Sequence, residues 1–456
     1  MSVTYVLMES SPRANPFVYS RPVRPDEAAP RPDDARHLVD LAEGGHNATL
    51  IAPRRYGKTS LLNQVRHEAE DAGMLAVLVD LSDVLSIADV AARLDLAFRS
   101  LRGPLGRFVA DHLATIGLTL PFQLGGITAG RPPAAPDPVA AVHHLLEVPV
   151  HLHRKSGKRV LVALDEFQAL ATLQGMDGVF RSHLQHQGEA ASFLFAGSEP
   201  TMLRTMFADR ARPLYGQAEI VALAPLDDER AAELVRSRFA MTRRDPGEAL
   251  LPLVRVAEGH PQRLMLLAHN LWASTTVERP AGLRTLRSAF ETTMRRVEPE
   301  LRFFWDGLPA NERRVLRALA SGLSPMTTAG MRLAGLTSRS SAQTALRSLV
   351  DAGVVERDAA AEAPVIVDPL LAHWTRRHAG AQPTVYVVPD PDQPGSFLVT
   401  DGPSLALVQR QAATIGEAEQ LAERVVAGRG GTIVVFDVDD PNELPVWAVG
   451  ARSDRP

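Results

Sequence analysis

Apolar residues along this chain gather in short continuous runs, separated by stretches in which they recur at helical spacing. The runs Ala48–Ile51, Met74–Leu81, Val160–Leu164, Ser192–Ala196 and Glu219–Leu223 read as strands. Helical stretches separate most of them. Such alternation predicts an α/β fold, a parallel sheet with helices on both faces. Residues 103–138 interrupt the pattern with Gly125-Gly126, Gly130, Pro132-Pro133, Pro136 and Pro138, which predicts a long insertion before the next helix. Residues 226–300 are helical in character. Asp227 or Asp228 is placed to cap a helix over Arg230–Ala240, and a second helix fits Gln262–Ser274. Residues 305–378 read as short helices followed by a strand-turn-strand. Residues 381–456 read as two short strands, a helix near Ile415–Ala427 and the strand Gly431–Val438. Residues 1–36, with Ser11-Pro12-Arg13, Arg21-Pro22, Arg24-Pro25 and Arg31-Pro32, read as an extended strap.

Composition narrows the classes. A chain of 456 residues suggests about two to four domains. Its 45% hydrophobic and 22% charged residues suit a soluble globular protein, and a net charge of -4 gives no global push toward nucleic acid or membrane. The absence of cysteine excludes disulfides, thiolate metal sites and cysteine nucleophiles. No apolar run approaches the ~20 residues that span a bilayer, so no membrane partner is expected. The start Met1-Ser2-Val3-Thr4-Tyr5 lacks a signal-peptide pattern, and a cytoplasmic address follows by default. Only Lys58, Lys155 and Lys158 among the 49 basic residues are lysine. Lys58 sits where a compact ammonium is chemically preferred to a guanidinium.

That lysine lies in the most informative segment. The strand ending at Ile51 is followed by Ala52-Pro53-Arg54-Arg55-Tyr56-Gly57-Lys58-Thr59-Ser60 and then an apolar helix. The order strand, loop, Gly-Lys-Thr, helix is that of a phosphate-binding loop. Backbone N–H groups of Pro53–Ser60, those that carry one, would point at phosphates, with Lys58 reaching the β/γ oxygens and Thr59 ligating Mg²⁺. Ala52 stands where that pattern has glycine, which the loop tolerates only if residue 52 has a negative φ. The strand Val160–Leu164 ends in Asp165-Glu166. A parallel sheet opens both features at its carboxyl edge, which puts Asp165 near the metal and leaves Glu166 to polarise the attacking water. Ser198, after the strand Ser192–Ala196, either senses the γ-phosphate and positions the water or caps a helix.

These motifs, with Asn15-Pro16-Phe17, Asp165-Glu166-Phe167-Gln168, Gly197-Ser198 and Pro213-Leu214-Tyr215-Gly216, resemble the archaeal-type ATPase family among the AAA+-related and STAND-like P-loop ATPases. The resemblance spans roughly residues 15–300. It implies an ATP-binding core over 37–225, a helical lid over 226–304 and a winged helix over 305–379. It also makes Gly259-His260-Pro261-Gln262-Arg263 the lid segment that opens a helix toward the nucleotide, with Arg263 a sensor arginine. Gln217 departs from the arginine common in the family after Leu-Tyr-Gly. Arg210 or Arg212 is the substitute, and a homo-oligomer is left open. ATP and Mg²⁺ are the expected ligands. GTP is disfavoured, because the lysines outside the loop, in His153-Arg154-Lys155-Ser156-Gly157-Lys158, do not fit Asn-Lys-x-Asp.

In the winged-helix region, helices fit Asn311–Ala320, Thr328–Ala334 and Arg339–Ala352, with wing strands at Val354–Arg357 and Val365–Val367. Nine arginines and six acids over 311–378 give it net +3, and Arg339, Gln343 and Arg347 share a helical face. DNA contact and protein docking both remain open there. The small α+β module over 380–456 has net charge -6 over 381–456, which argues against nucleic acid and favours protein docking or autoinhibition. His143, His144, His151, His153, His183 and His186 read as surface residues without a zinc pattern.

Overall fold

The five apolar runs form one parallel sheet. The computed structural model describes residues 14–20, 29, 31–115, 137–357, 364–378, 384–389, 395–400, 408–426 and 432–435. The prolines at 12, 22 and 25, the Gly/Pro run 125–136 and the end of the last expected strand, 436–438, lie outside these residues. The chain divides into two compact units, one of residues 24–224 and one of 1–23 with 225–456.

In the first unit β1 (Ala48–Ile51), β2 (Leu75–Asp80), β3 (Val160–Asp165), β4 (Ala191–Gly197) and β5 (Glu219–Ala222) pair in the order β2-β3-β4-β1-β5, every pair parallel. Every residue of β3 and β4 is buried. Val160, Val162, Leu164, Phe193 and Phe195 enter one core, while the alternate Leu161, Ala163, Leu194 and Ala196 are buried on the other face. A strand buried on both faces has no position free for a polar side chain, which is why these runs are apolar throughout. The first core is closed by α3 (Ile87–Arg99), α4 (Gly103–Thr115), α5 (Pro138–Ser156), α6 (Met176–Leu184) and α7 (Pro200–Ala208), with α1 (Pro32–Glu43) and α2 (Lys58–Asp71) completing the unit. Ser192 Oγ donates to Ala42 O, 2.8 Å, tying α1 to β4.

Two local readings change. Residues 32–36 belong to α1, not to a strap; Pro32 takes the first helical turn and Asp33 and Asp34 lie at its positive end. The start of the expected insertion is α4. Leu105, Phe108, Val109 and Leu113 meet the core at helical spacing, which the glycines at 103 and 106 mask in the sequence.

The second unit is built on helices α8 (Asp228–Met241), α9 (Leu250–Ala257), α10 (Pro261–Ala273) and α11 (Leu283–Gly307). Asp227 caps α8, accepting from Arg230 N. Residues 15–19 are pinned to this bundle. Phe17 is buried against Phe239, Asn15 Nδ2 donates to His269 O at 3.0 Å, Arg238 donates to Pro16 O at 2.9 Å, and Arg296 donates to the Tyr19 hydroxyl. Helices α12 (Ala310–Ala320), α13 (Thr328–Ala334) and α14 (Arg339–Asp351) precede the antiparallel hairpin of β6 (Val355–Arg357) and β7 (Pro364–Ile366), a winged helix-turn-helix arrangement closed by α15 (Pro369–His378). The last module is a sheet of β8 (Thr384–Pro389), β9 (Phe397–Thr400), β10 (Val408–Ala412) and β11 (Thr432–Val435), in the order β10-β9-β8-β11, against α16 (Ile415–Val426). Strand β10 escapes the sequence reading because Val408-Gln409-Arg410-Gln411-Ala412 is a polar edge strand.

The bundle and the winged helix share an ion pair that is buried at Arg263 and half-buried at Asp368. Arg263, with a side chain 3% exposed, donates through Nε to both oxygens of Asp368, at 3.0 and 3.1 Å, and through Nη2 to Oδ2. Burial works to raise the Asp368 pKa, but the Arg263 charge and hydrogen bonds outweigh it and hold the carboxyl below its usual range. Breaking a buried pair leaves an uncompensated charge. Asp368→Ala is therefore expected to lose about 3–5 kcal/mol in urea unfolding, with most of it regained in Arg263→Met/Asp368→Leu. A loss well below that range would show that the pair does not hold the fold.

His373 is buried against Phe290, and its Nε2 has no hydrogen-bond partner among the described residues. Burial, with Arg376 and Arg377 near, holds its pKa well below the ordinary value. The unfolded chain then takes up the proton more readily, so the stability tied to His373 is complete above pH ~6.5 and falls as pH drops. Unfolding free energy should decline between pH 7 and 5, and His373→Leu should flatten that decline. A parallel curve for the variant would refute the assignment.

Candidate functional site

The chemistry-bearing residues collect where β1, β3 and β4 end. Register sets this: Ile51 pairs with Gly197 and Leu164 with Phe195, so the residues after each strand emerge at one carboxyl edge.

From Ile51 the chain turns through residues 52–57 and enters α2 at Lys58. Gly57 is the N-cap at φ 86°, without a side-chain cap, so the first-turn N–H groups of a 14-residue helix are left for a ligand. The left-handed conformation in the loop falls on Arg55 (φ 66°) and Gly57, and Ala52 is not among the positive-φ residues. The missing glycine therefore imposes no strain at position 52. Pro53 and Tyr56 are buried, Arg54, Arg55 and Thr59 are exposed, and Ser60 is half-buried.

Lys58 is 5% exposed, and its Nζ donates to Ala52 O at 3.4 Å and Pro53 O at 3.3 Å. Burial lowers its pKa, opposed by the charges of Glu166 and Asp165. Thr59 Oγ1 donates to Asp165 Oδ2 at 2.7 Å. Burial raises the Asp165 pKa, with the Thr59 hydrogen bond pulling the other way and the neighbouring Glu166 adding to the rise. Glu166 itself is left-handed at φ 55°, unusual for a non-glycine residue. Its Oε2 accepts from Ser198 Oγ at 2.7 Å, from Ser198 N at 3.3 Å and from Gln168 Nε2.

The structure thus brings Lys58, Thr59, Asp165, Glu166 and Ser198 together. Ser198 binds a carboxylate here; the cap of α7 is Glu199, without a side-chain hydrogen bond. Arg212 lies 3.9 Å from Asp177 at the start of α6. Arg263 is in the second unit and is bound to Asp368 there. Gln168 received no role from sequence; its signal was a polar residue two places after Glu166, set between Phe167 and the apolar Ala169-Leu170-Ala171 of the 3-10 turn Phe167–Thr172.

Several histidines read as surface residues are partly buried. His143 Nδ1 lies 2.9 Å from His183 Nε2, and His151 packs on His112 with ring centres 4.2 Å apart, while His144 and His186 are exposed. The α5–α6 and α4–α5 contacts that bury them are invisible to spacing. Among the described residues no group of three or more His, Asp or Glu side chains is arranged to hold a metal ion. A divalent ion at this site would take Thr59, Asp165 and phosphate oxygens, and these hard oxygen donors suit Mg²⁺. No helix among the described residues is long and apolar enough to cross a membrane.

No protein-family model matches the chain, and no curated protein matches its sequence. Solved structures resemble it at low similarity. The ORC2 protein of Aeropyrum pernix in its ADPNP-ADP complexes has 14% identity and a TM-score of 0.48, covering 79% of this chain and 95% of that one. Cdc6p from Pyrobaculum aerophilum has 14% identity and a TM-score of 0.38, covering 79% and 97%. A RuvB variant from Thermotoga maritima has 14% identity and a TM-score of 0.39, covering 76% and 96%.

Proposed function

We propose that this chain binds ATP with Mg²⁺ at the β1–α2 loop and hydrolyses it slowly, as a nucleotide-controlled switch. The observation that carries the reading is the convergence of Lys58, the Thr59–Asp165 pair and Glu166 at one sheet edge beside an uncapped helix N-terminus. In this reading the loop N–H groups hold the phosphates, and the Lys58 ammonium exchanges loop carbonyls for β/γ oxygens. Thr59 and Asp165 hold the metal, which when bound neutralises phosphate charge. Glu166 orients the attacking water and takes its proton. Slow turnover follows from the arginines. A guanidinium at the transferred phosphate contributes ~10³–10⁵ in rate, and Arg212 stands beside Asp177 instead. As a switch, the bound nucleotide would shift the population between two conformations of the chain.

Nucleotide binding and turnover of wild type, Lys58→Ala and Glu166→Gln test this. Lys58→Ala should lose at least tenfold in ATP affinity, about 1.4 kcal/mol. Glu166→Gln should keep binding and lose about 10²-fold or more in turnover. Binding and turnover that survive Lys58→Ala would overturn the site. A wild-type melting temperature unmoved by saturating ATP would point instead to a protein-docking chain with a degenerate site.

One observation favours a DNA-binding regulator as the second reading. Arg339, Gln343 and Arg347 are all exposed on α14, opposite the buried Ala342, Ala345 and Leu349, and the arginines form no ion pair among the described residues. Duplex DNA bound there should dissociate steeply as salt rises, and Arg339→Ala/Arg347→Ala should lower the log–log salt slope by about 2. No gel shift at low salt would remove this reading.

A further inference from the structure

Gln168 is the polar side chain at the sheet edge that the hydrolysis reading does not use. It is buried, 7% exposed, and donates through Nε2 to Glu166 Oε2 and, at 3.4 Å, to Ser198 Oγ. A carboxylate only accepts, so the amide must turn its nitrogen toward Glu166. Its oxygen then faces away. Gln168 Oε1 is buried with no hydrogen-bond partner among the described residues. A buried carbonyl without a donor is unfavourable, so the fold tolerates it only because the other end of the amide is engaged.

Room for that oxygen comes from Gly197. A Cβ at residue 197 would fall 1.9 Å from Gln168 Oε1, 3.0 Å from its Cδ and 2.9 Å from Leu203 Cδ1. A methyl at residue 197 would therefore displace the amide, while no backbone angle calls for glycine there, since Gly197 is not among the positive-φ glycines. Glu166, in contrast, is the strained residue, left-handed at φ 55°. A non-glycine residue holds that conformation only where its surroundings over-determine it. The donors from Ser198 and Gln168 do so, and all of them fall on Oε2.

We propose that Gln168 is a positioning residue for Glu166: with Ser198 it occupies Oε2, leaves Oε1 as the oxygen that receives the proton of the attacking water, and depends on Gly197 for its place. The inference rests on the hydrolysis reading above. In that step the water oxygen bonds to the γ-phosphorus, its proton passes to Oε1, and the bond from phosphorus to the β–γ bridging oxygen breaks to leave ADP. The proton then leaves for phosphate or solvent.

Steady-state ATP hydrolysis and nucleotide affinity of the full chain test it, in wild type, Gln168→Met, Gln168→Ala, Gly197→Ala and Gly197→Ala/Gln168→Ala. Methionine keeps the side-chain length and removes the donor. Gln168→Met should lower kcat about tenfold or more, with KM and ATP affinity within about twofold of wild type. Gly197→Ala should give a similar loss, because its methyl displaces the amide. The double variant should be no worse than either single change, since both act through one contact. An unchanged kcat in Gln168→Met, a loss confined to KM, or losses that multiply in the double variant would each overturn the proposal. If Gly197→Ala fails to fold, Gln168→Met decides alone. A wild type that hydrolyses ATP and loses turnover in Glu166→Gln but not in Gln168→Met refutes only this inference. A wild type that neither binds nor hydrolyses ATP overturns both readings.

Discussion

The parallel register of β3, β4 and β1 is the constraint on which the site depends. Pairing Leu164 with Phe195 and Ile51 with Gly197 delivers Asp165, Ser198 and the 52–57 loop to one edge. Side chains alternate along a strand, so a one-residue slip would exchange the two buried faces and turn Asp165 away from Thr59. The slip is opposed by the aromatic packing of Phe167, Phe195 and Phe207, which fills one face. Apolar burial far from the chemistry thus fixes a polar contact of 2.7 Å at its centre.

Electrostatics at that edge is interdependent. Lys58 and Asp165 are both buried, and burial pushes each toward its neutral form. Glu166 acts on both groups in the same way a fixed negative charge must: it supports the ammonium and opposes the second carboxylate. The donors on Glu166 Oε2 in turn keep that charge in place. In the proposed reading, phosphate oxygens would satisfy the lysine and the helix N–H groups together.

The second unit is organised differently. Its bundle is pinned by residues 15–19 from the chain start, through Phe17 and backbone carbonyls, and fastened to the winged helix through Arg263 and Asp368. These contacts span 222 to 254 residues of sequence for the strap and 105 for the ion pair. Asn15 and Phe17 of the strap are spent on the bundle.

Sequence alone was enough to locate the five strands, the strand-to-helix loop over 52–57 and the acidic pair at the end of β3, because each rests on a local rule: continuous apolar runs for strands buried on both faces, and loop chemistry for a strand-to-helix turn. It also placed the winged-helix elements within a residue or two, since amphipathic period is local, and it named Asp227, the cap of α8 in the bundle. It misread α4 behind its glycines and missed β10 for its polarity, where packing overrides propensity. The fate of Ala52, the burial of His143 and His183, the binding of Arg263 to Asp368 and the grip of Gln168 on Glu166 were decided only by tertiary structure. Each depends on a partner distant in sequence or on a backbone angle, and neither is written in the spacing of residues.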